Sequence, residues 1–189
     1  MHAFDYVMAL AAVIVGLALT HMLVGVTRMV EGPTRPKLDW VHLIWLAGIF
    51  ITVLLWWWAE FQWSTVRSWT FAMYLFVLIY AVLLFLMSAA LVPTSGSGPI
   101  DYRDLFDGRK RWFLSLIVAY VLIDFIDSAL KGTSHLRELG WQYMLSEIAT
   151  LVVATAAMLI RSRTFQGVVA IAFLADQLWL GFLTLASIR

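Results

Sequence analysis

Residues 40–59 read WVHLIWLAGIFITVLLWWWA, twenty positions without an aspartate, glutamate, lysine or arginine. At about 1.5 Å per residue, a helix of that length crosses the roughly 30 Å hydrocarbon core of a bilayer. The apolar residues run continuously, whereas a membrane β-strand alternates apolar and polar residues over about ten positions. The helix is the other structure that satisfies its own backbone in lipid. This segment therefore reads as a transmembrane helix.

The rest of the chain repeats the pattern. Residues 6–27 and 68–92 are also free of charge, residues 112–130 hold two acids, and 141–160 and 164–188 hold one each. Of 189 residues, 62% are hydrophobic and 13% charged, against roughly 25% charged in soluble domains. A soluble chain of this size could not hide so much apolar surface. The expected fold is an all-α polytopic bundle of about six helices. It forms a single transmembrane domain over 1–189, with helices near 4–29, 39–60, 68–92, 111–130, 141–161 and 164–188 and a loop at 93–110. No small-residue cleavage site follows the first span, which is read as a retained helix. The absence of cysteine excludes disulfides, thiolate metal sites and thiol catalysis.

Alternate connections share a side of the membrane. One side holds nine basic residues, Arg28, Arg35, Lys37, Arg103, Arg109, Lys110, Arg111, Arg161 and Arg163; the other holds four, Arg67, Lys131, Arg137 and Arg189. Short loops rich in Lys and Arg stay cytoplasmic. Both termini are therefore expected outside the cytoplasm and the 93–110 loop inside. Trp40 and Trp112 then fall at inner ends, and Trp56, Trp57, Trp58, Trp63, Trp69 and Trp141 near outer ends, the interface that indole favours. Arg109, Lys110, Arg111 and Trp112 read as an anchor to anionic lipid, or as a stop signal that sets topology. Pro93–Pro99 (PTSGSGP) is a linker by composition. No Gly-Lys-Ser/Thr follows it, so it is not a phosphate-binding loop.

The acids of the second half are the most informative residues. Counting from the basic boundaries, Asp124, Glu147 and Asp176 all fall roughly 20 Å into the membrane. Asp127 follows Asp124 by three positions and shares its helix face. Ser128, Ser146, Thr150, Gln177 and Thr184 add polar groups nearby, while Asp5 and Glu60 belong near outer ends. An acid at such depth costs at least about 2.5–3.5 kcal/mol, faces the bundle interior or water, and often marks an ion or proton route. Hard cations suit carboxylates, and carboxyls crowded in low dielectric can hold protons. Two plainer readings stand beside this one: acids as hydrogen-bonded helix glue, and shallower placement of Asp127 and Glu147 at the wet interface.

His21 and His42 lie roughly 7–10 Å inside the basic boundary on consecutive antiparallel helices. Facing each other, they could hold a b-type haem or a metal; otherwise they are structural or proton-shuttling histidines. His2 and His135 fall on the opposite side. Small residues at Ala12/Gly16/Thr20 and at Thr150/Ala154/Ala157 allow close helix approach, within the bundle or between subunits.

Three stretches taken together carry a resemblance: Phe4-Asp5-Tyr6 leading to Gly16 and Thr20-His21, then Trp40-Val41-His42-Leu43-Ile44-Trp45, and Arg111-Trp112-Phe113 leading to Asp124 and Lys131-Gly132. They resemble the uncharacterised small six-helix inner-membrane proteins of bacteria. The resemblance implies a bacterial inner-membrane location and transfers no functional residue.

Three functions follow as expectations. The first is a cation or proton channel or transporter using Asp124, Asp127, Glu147 and Asp176. The second is a non-catalytic subunit, sensor or assembly partner of a larger membrane complex. The third is an electron-transfer protein with haem b on His21 and His42. No nucleophile-and-base pair or helical His-Glu-x-x-His motif points to an enzyme. The expected partners are the lipid bilayer and further copies of the chain or other membrane subunits. No nucleic acid is expected, and no cofactor beyond the haem alternative.

Overall fold

Side-chain caps decide where the helices start, because first-turn amides have no partner within the helix. In the computed structural model, Asp39 accepts the His42 amide at 2.9 Å and Thr70 that of Met73 at 3.3 Å. Asp101 accepts those of Arg103 and Asp104 at 3.1 and 3.4 Å, and Ser162 that of Phe165 at 3.4 Å. The structure describes residues 3–31, 36–66, 68–93 and 100–187. Its helices are α1 (Ala3–Glu31), α2 (Trp40–Ala59), α3 (Phe71–Leu91), α4 (Tyr102–Leu130), α5 (Thr133–Leu159) and α6 (Arg163–Ser187), with a 3-10 turn over Glu60–Thr65. All six are long and apolar enough to cross a membrane. The architecture is that of an all-α, multi-pass membrane protein. Arg35, Arg67, Arg189, His2 and the 94–99 part of the linker lie outside the described residues, as do the side chains of His135 and Thr184.

Two helix starts fall well before the sequence expectation, the other bounds shifting by no more than a turn. α4 begins at Tyr102 rather than 111, so the loop expected at 93–110 ends at Asp101, and Arg109, Lys110, Arg111 and Trp112 lie within the helix. Hydropathy marks where lipid begins, whereas the Asp101 cap and the Arg103–Asp107 pair, 3.9 Å apart, carry the helix on beyond that point. α5 begins at Thr133 rather than 141 and bends at Gly140, whose φ of 72° lies in the left-handed region open to glycine.

Helices adjacent in space are not always adjacent in sequence. α1 lies along α3, α3 along α4, α4 along α5, and α6 along α2; α2 also meets α3 and touches α1 and α4, while α5 and α6 meet over a shorter stretch. Trp45 joins three helices in the core, with ring centroids 4.9 Å from Phe113 of α4 and 5.1 Å from Phe173 of α6. Glycines permit two of the close approaches. Phe173 packs over Gly48, and a Cβ on Gly25 would stand 2.6 Å from Cγ1 of the buried Val92. Of the small-residue stripes, Ala154 and Ala157 are buried, while Gly16 and Thr20 face outward.

The end of the bundle that carries Arg28, Lys37 and Arg109 is tied together by polar contacts. Lys37 and Asp101 form a backbone bridge, in which the Lys37 amide donates to the Ile100 carbonyl and the Tyr102 amide to that of Lys37, both at 3.0 Å. Arg163 pairs with the capping carboxylate of Asp39 and lies 3.5 Å from Asp107.

Because Val92 is β-branched and buried, it cannot turn away from a methyl group on Gly25. Gly25→Ala is expected to lower stability in detergent by about 1–3 kcal/mol through overpacking. Val92→Ala in the same chain should restore part of that loss, read as the shift in thermal unfolding midpoint.

Candidate functional site

Lys131 follows the last turn of α4, four residues after Asp127, a spacing that brings the two side chains together. Its ammonium is 2.6 Å from Asp127 and 3.2 Å from Glu60 at the end of α2. It also lies 5.9 Å from the centre of the Trp63 ring. All three charged side chains are almost fully buried, Lys131 with 4% of its surface exposed. The Trp63 indole donates to Asp127 at 3.0 Å, so the 3-10 turn is part of the site. Burial works against the ammonium, but the Glu60 and Asp127 carboxylates outweigh it and hold Lys131 above the ordinary lysine range.

One turn before Asp127, Asp124 accepts the Tyr80 hydroxyl of α3 at 2.6 Å and, on its other oxygen, the Tyr143 hydroxyl of α5. Since Tyr143 donates there, the Ser128 hydroxyl donates in turn to Tyr143, at 3.0 Å. Tyr143 and Glu147 lie four residues apart on the inward face of α5. Glu147 is within electrostatic range of both Asp124 and Asp176. It is 6% exposed, and its Oε2 has no hydrogen-bond partner among the described residues. Asp176 of α6 accepts the Ser146 hydroxyl at 2.5 Å and the Gln177 amide at 3.4 Å; Gln177 accepts from Thr52 of α2 at 2.9 Å. Glu60 likewise has one oxygen, Oε2, with no partner among the described residues.

The acids expected from the sequence thus lie along one polar seam between α4, α5 and α6. Asp124, Glu147 and Asp176 share a field, while Asp127 belongs to the Lys131 pair. Sequence reasoning missed Lys131 itself, Glu60 as its second partner, and the phenols of Tyr80 and Tyr143. The spacing of Asp127 to Lys131 was a readable signal for the first. The other partners depend on which helices are neighbours.

His21 and His42 occupy a different place. His21 Nε2 lies 3.1 Å from the Val92 carbonyl and His42 Nε2 2.7 Å from the Leu91 carbonyl. They satisfy successive acceptors at the end of α3, groups that a helix terminus leaves open. His42 packs against Tyr102 with the rings tilted at 41° and centroids 4.8 Å apart, and its Nδ1 has no partner among the described residues. The four residues of the basic stretch also separate. Lys110 donates to the Ile160 carbonyl at 3.0 Å, Arg109 reaches the Ala89 carbonyl at 3.5 Å, and Arg111 and Trp112 are exposed.

Lys131→Met leaves two buried carboxyls without their cation and is expected to cost about 3–5 kcal/mol of stability. The combination Lys131→Met, Glu60→Gln and Asp127→Asn removes the uncompensated charge and should recover most of the loss in a detergent unfolding series. In the parent protein, a raised lysine value means the ion pair persists through neutral pH. Its contribution is lost as pH rises through the folded-state value of Lys131.

Compared with protein-family models, curated proteins and solved structures, the chain matches none.

Proposed function

We propose that this protein moves protons across a membrane along the carboxyl and hydroxyl groups between α4, α5 and α6. The observation that carries the reading is Glu147, buried, with one oxygen lacking a partner among the described residues and within electrostatic range of Asp124 and Asp176. A polar atom kept out of water without a hydrogen bond costs about 1–3 kcal/mol. Such a cost is more readily understood where the atom must stay free to accept a proton than where it only glues helices. Asp124 differs, since both its oxygens already accept phenolic hydrogens.

The side chains bridging these acids also favour protons over larger cations. Tyr143, Tyr80, Ser128 and Ser146 carry exchangeable hydrogens, and their hydroxyls connect α3, α4, α5 and α6. Buried acids in such chains recur in proton pumps and transporters. Asp127 is the structural partner of Lys131 in this reading, and the path comprises Asp124, Glu147 and Asp176. The excess of basic residues at the Arg109 end supports placing that end in the cytoplasm. The family resemblance supports a bacterial inner membrane.

The test is proton flux into liposomes holding the purified protein, driven by a potassium diffusion potential and read by a trapped pH dye. Glu147→Gln should reduce flux by about two orders of magnitude, and Asp176→Asn should also reduce it, with both variants unfolding at the parental temperature. Flux at the parental rate in Glu147→Gln would remove that residue from the path. A parent protein that passes no protons in either direction would end the proposal.

A further inference from the structure

Outside the carboxyl seam, α3 and α4 enclose a groove at the basic end of the bundle. It has a volume of about 360 Å³ and is lined by Leu86, Ala89 and Ala90 of α3 and Gly108, Arg109 and Trp112 of α4. We infer that this groove binds one anionic phospholipid, its phosphate on Arg109 and the upper part of an acyl chain along Ala89, Ala90 and Leu86.

Four features support that occupant. First, Arg109 and Trp112 stand three residues apart on one helix face, and Trp112 is 56% exposed, as an indole at the headgroup level would be. Second, three acids at this end are already engaged, Asp39 by Arg163, Asp107 by Arg163 and Arg103, and Asp101 by Lys37, while among the described residues the exposed Asp104 and Glu31 form no ion pair with Arg109. Arg109 itself has no ion pair among the described residues, and its contact with the Ala89 carbonyl is at the limiting 3.5 Å. Third, Ala89, Ala90 and Gly108 keep part of the wall low. A Cβ on Gly108 would meet nothing within 4 Å, so the glycine leaves open space that the bundle does not fill. Fourth, the chemistry is split as a phospholipid requires. A guanidinium, which matches phosphate with a two-pronged fork, sits beside an apolar trough. Lys110, by contrast, is turned to the α5 terminus and leaves the groove to Arg109.

The experiment is native mass spectrometry of the full chain released from nanodiscs of equal phosphatidylglycerol and phosphatidylcholine. The parent is expected to retain one phosphatidylglycerol in preference to phosphatidylcholine. Arg109→Gln should reduce that retention about tenfold, as expected for loss of a charge-assisted pair, while Arg111→Gln leaves it unchanged. Gly108→Leu adds a side chain where a Cβ would meet nothing within 4 Å and keeps the charge, so it should expel the lipid from a folded protein. Equal loss in Arg109→Gln and Arg111→Gln would show only diffuse attraction and overturn the site. So would undiminished retention in Gly108→Leu, or displacement of the lipid by millimolar inorganic phosphate, which would indicate a free-anion site.

Discussion

The ammonium of Lys131 lies between the carboxylates of Asp127 and Glu60, and this contact ties the end of α2 and its 3-10 turn to the end of α4. An ion of that kind loses several kcal/mol of solvation on burial and recovers it only through close partners. Here the partners come from the end of α2 and the last turn of α4, with the Trp63 indole of the 3-10 turn bound to Asp127. Those elements are therefore held in a fixed relation at the end of the bundle where the acids begin. From there the seam continues inward through Asp124 and Tyr143 to Glu147 and Asp176. Fewer charges are neutralised along this stretch, and hydroxyl groups provide most of the contacts.

The two ends of the bundle solve the same problem differently. At the Lys131 end, one cation serves two acids inside the protein. At the opposite end, Arg163 serves Asp39 and Asp107, and side chains cap several helix termini. Gln166 donates to the Ala157 and Ile160 carbonyls at 2.8 Å, and His21 and His42 do the same work for α3. Leaving such acceptors bare in a low-dielectric setting would be costly. Each histidine thus has one ring nitrogen on a carbonyl at the end of α3.

How much of this was legible beforehand depends on the range of the interaction. The charge-free run at 40–59 and its counterparts announced the spans, because hydropathy over twenty residues is a local property. The start of α4 was missed for the opposite reason: residues 102–111 are helical yet charged, and only the Asp101-x-x-Asp104 cap gives them away. Depth counting put Asp124, Glu147 and Asp176 at about one depth but left open which helices face each other; in the fold, Glu147 is within electrostatic range of the other two. It could not find Tyr80 or Glu60, since their partners lie on other helices and helix order leaves no trace in hydropathy. Tryptophans illustrate the same limit. Trp56 and Trp63 were expected at the interface with lipid, yet both are buried in the protein, while Trp141 is 71% exposed.

The pairing of α2 with α6 has a consequence for how the chain is made. α2 emerges from the ribosome well before α6, and the surface formed by Gly48 and Thr52 is covered by Phe173 and Gln177 only when α6 arrives. Until then the Thr52 hydroxyl can fall back on the Gly48 carbonyl of its own helix, 3.0 Å away. Insertion and assembly are thus separated in time, as a two-stage route for membrane helices requires. The nascent bundle carries an open flank, lined by small and aromatic side chains, that closes only once α6 has been made.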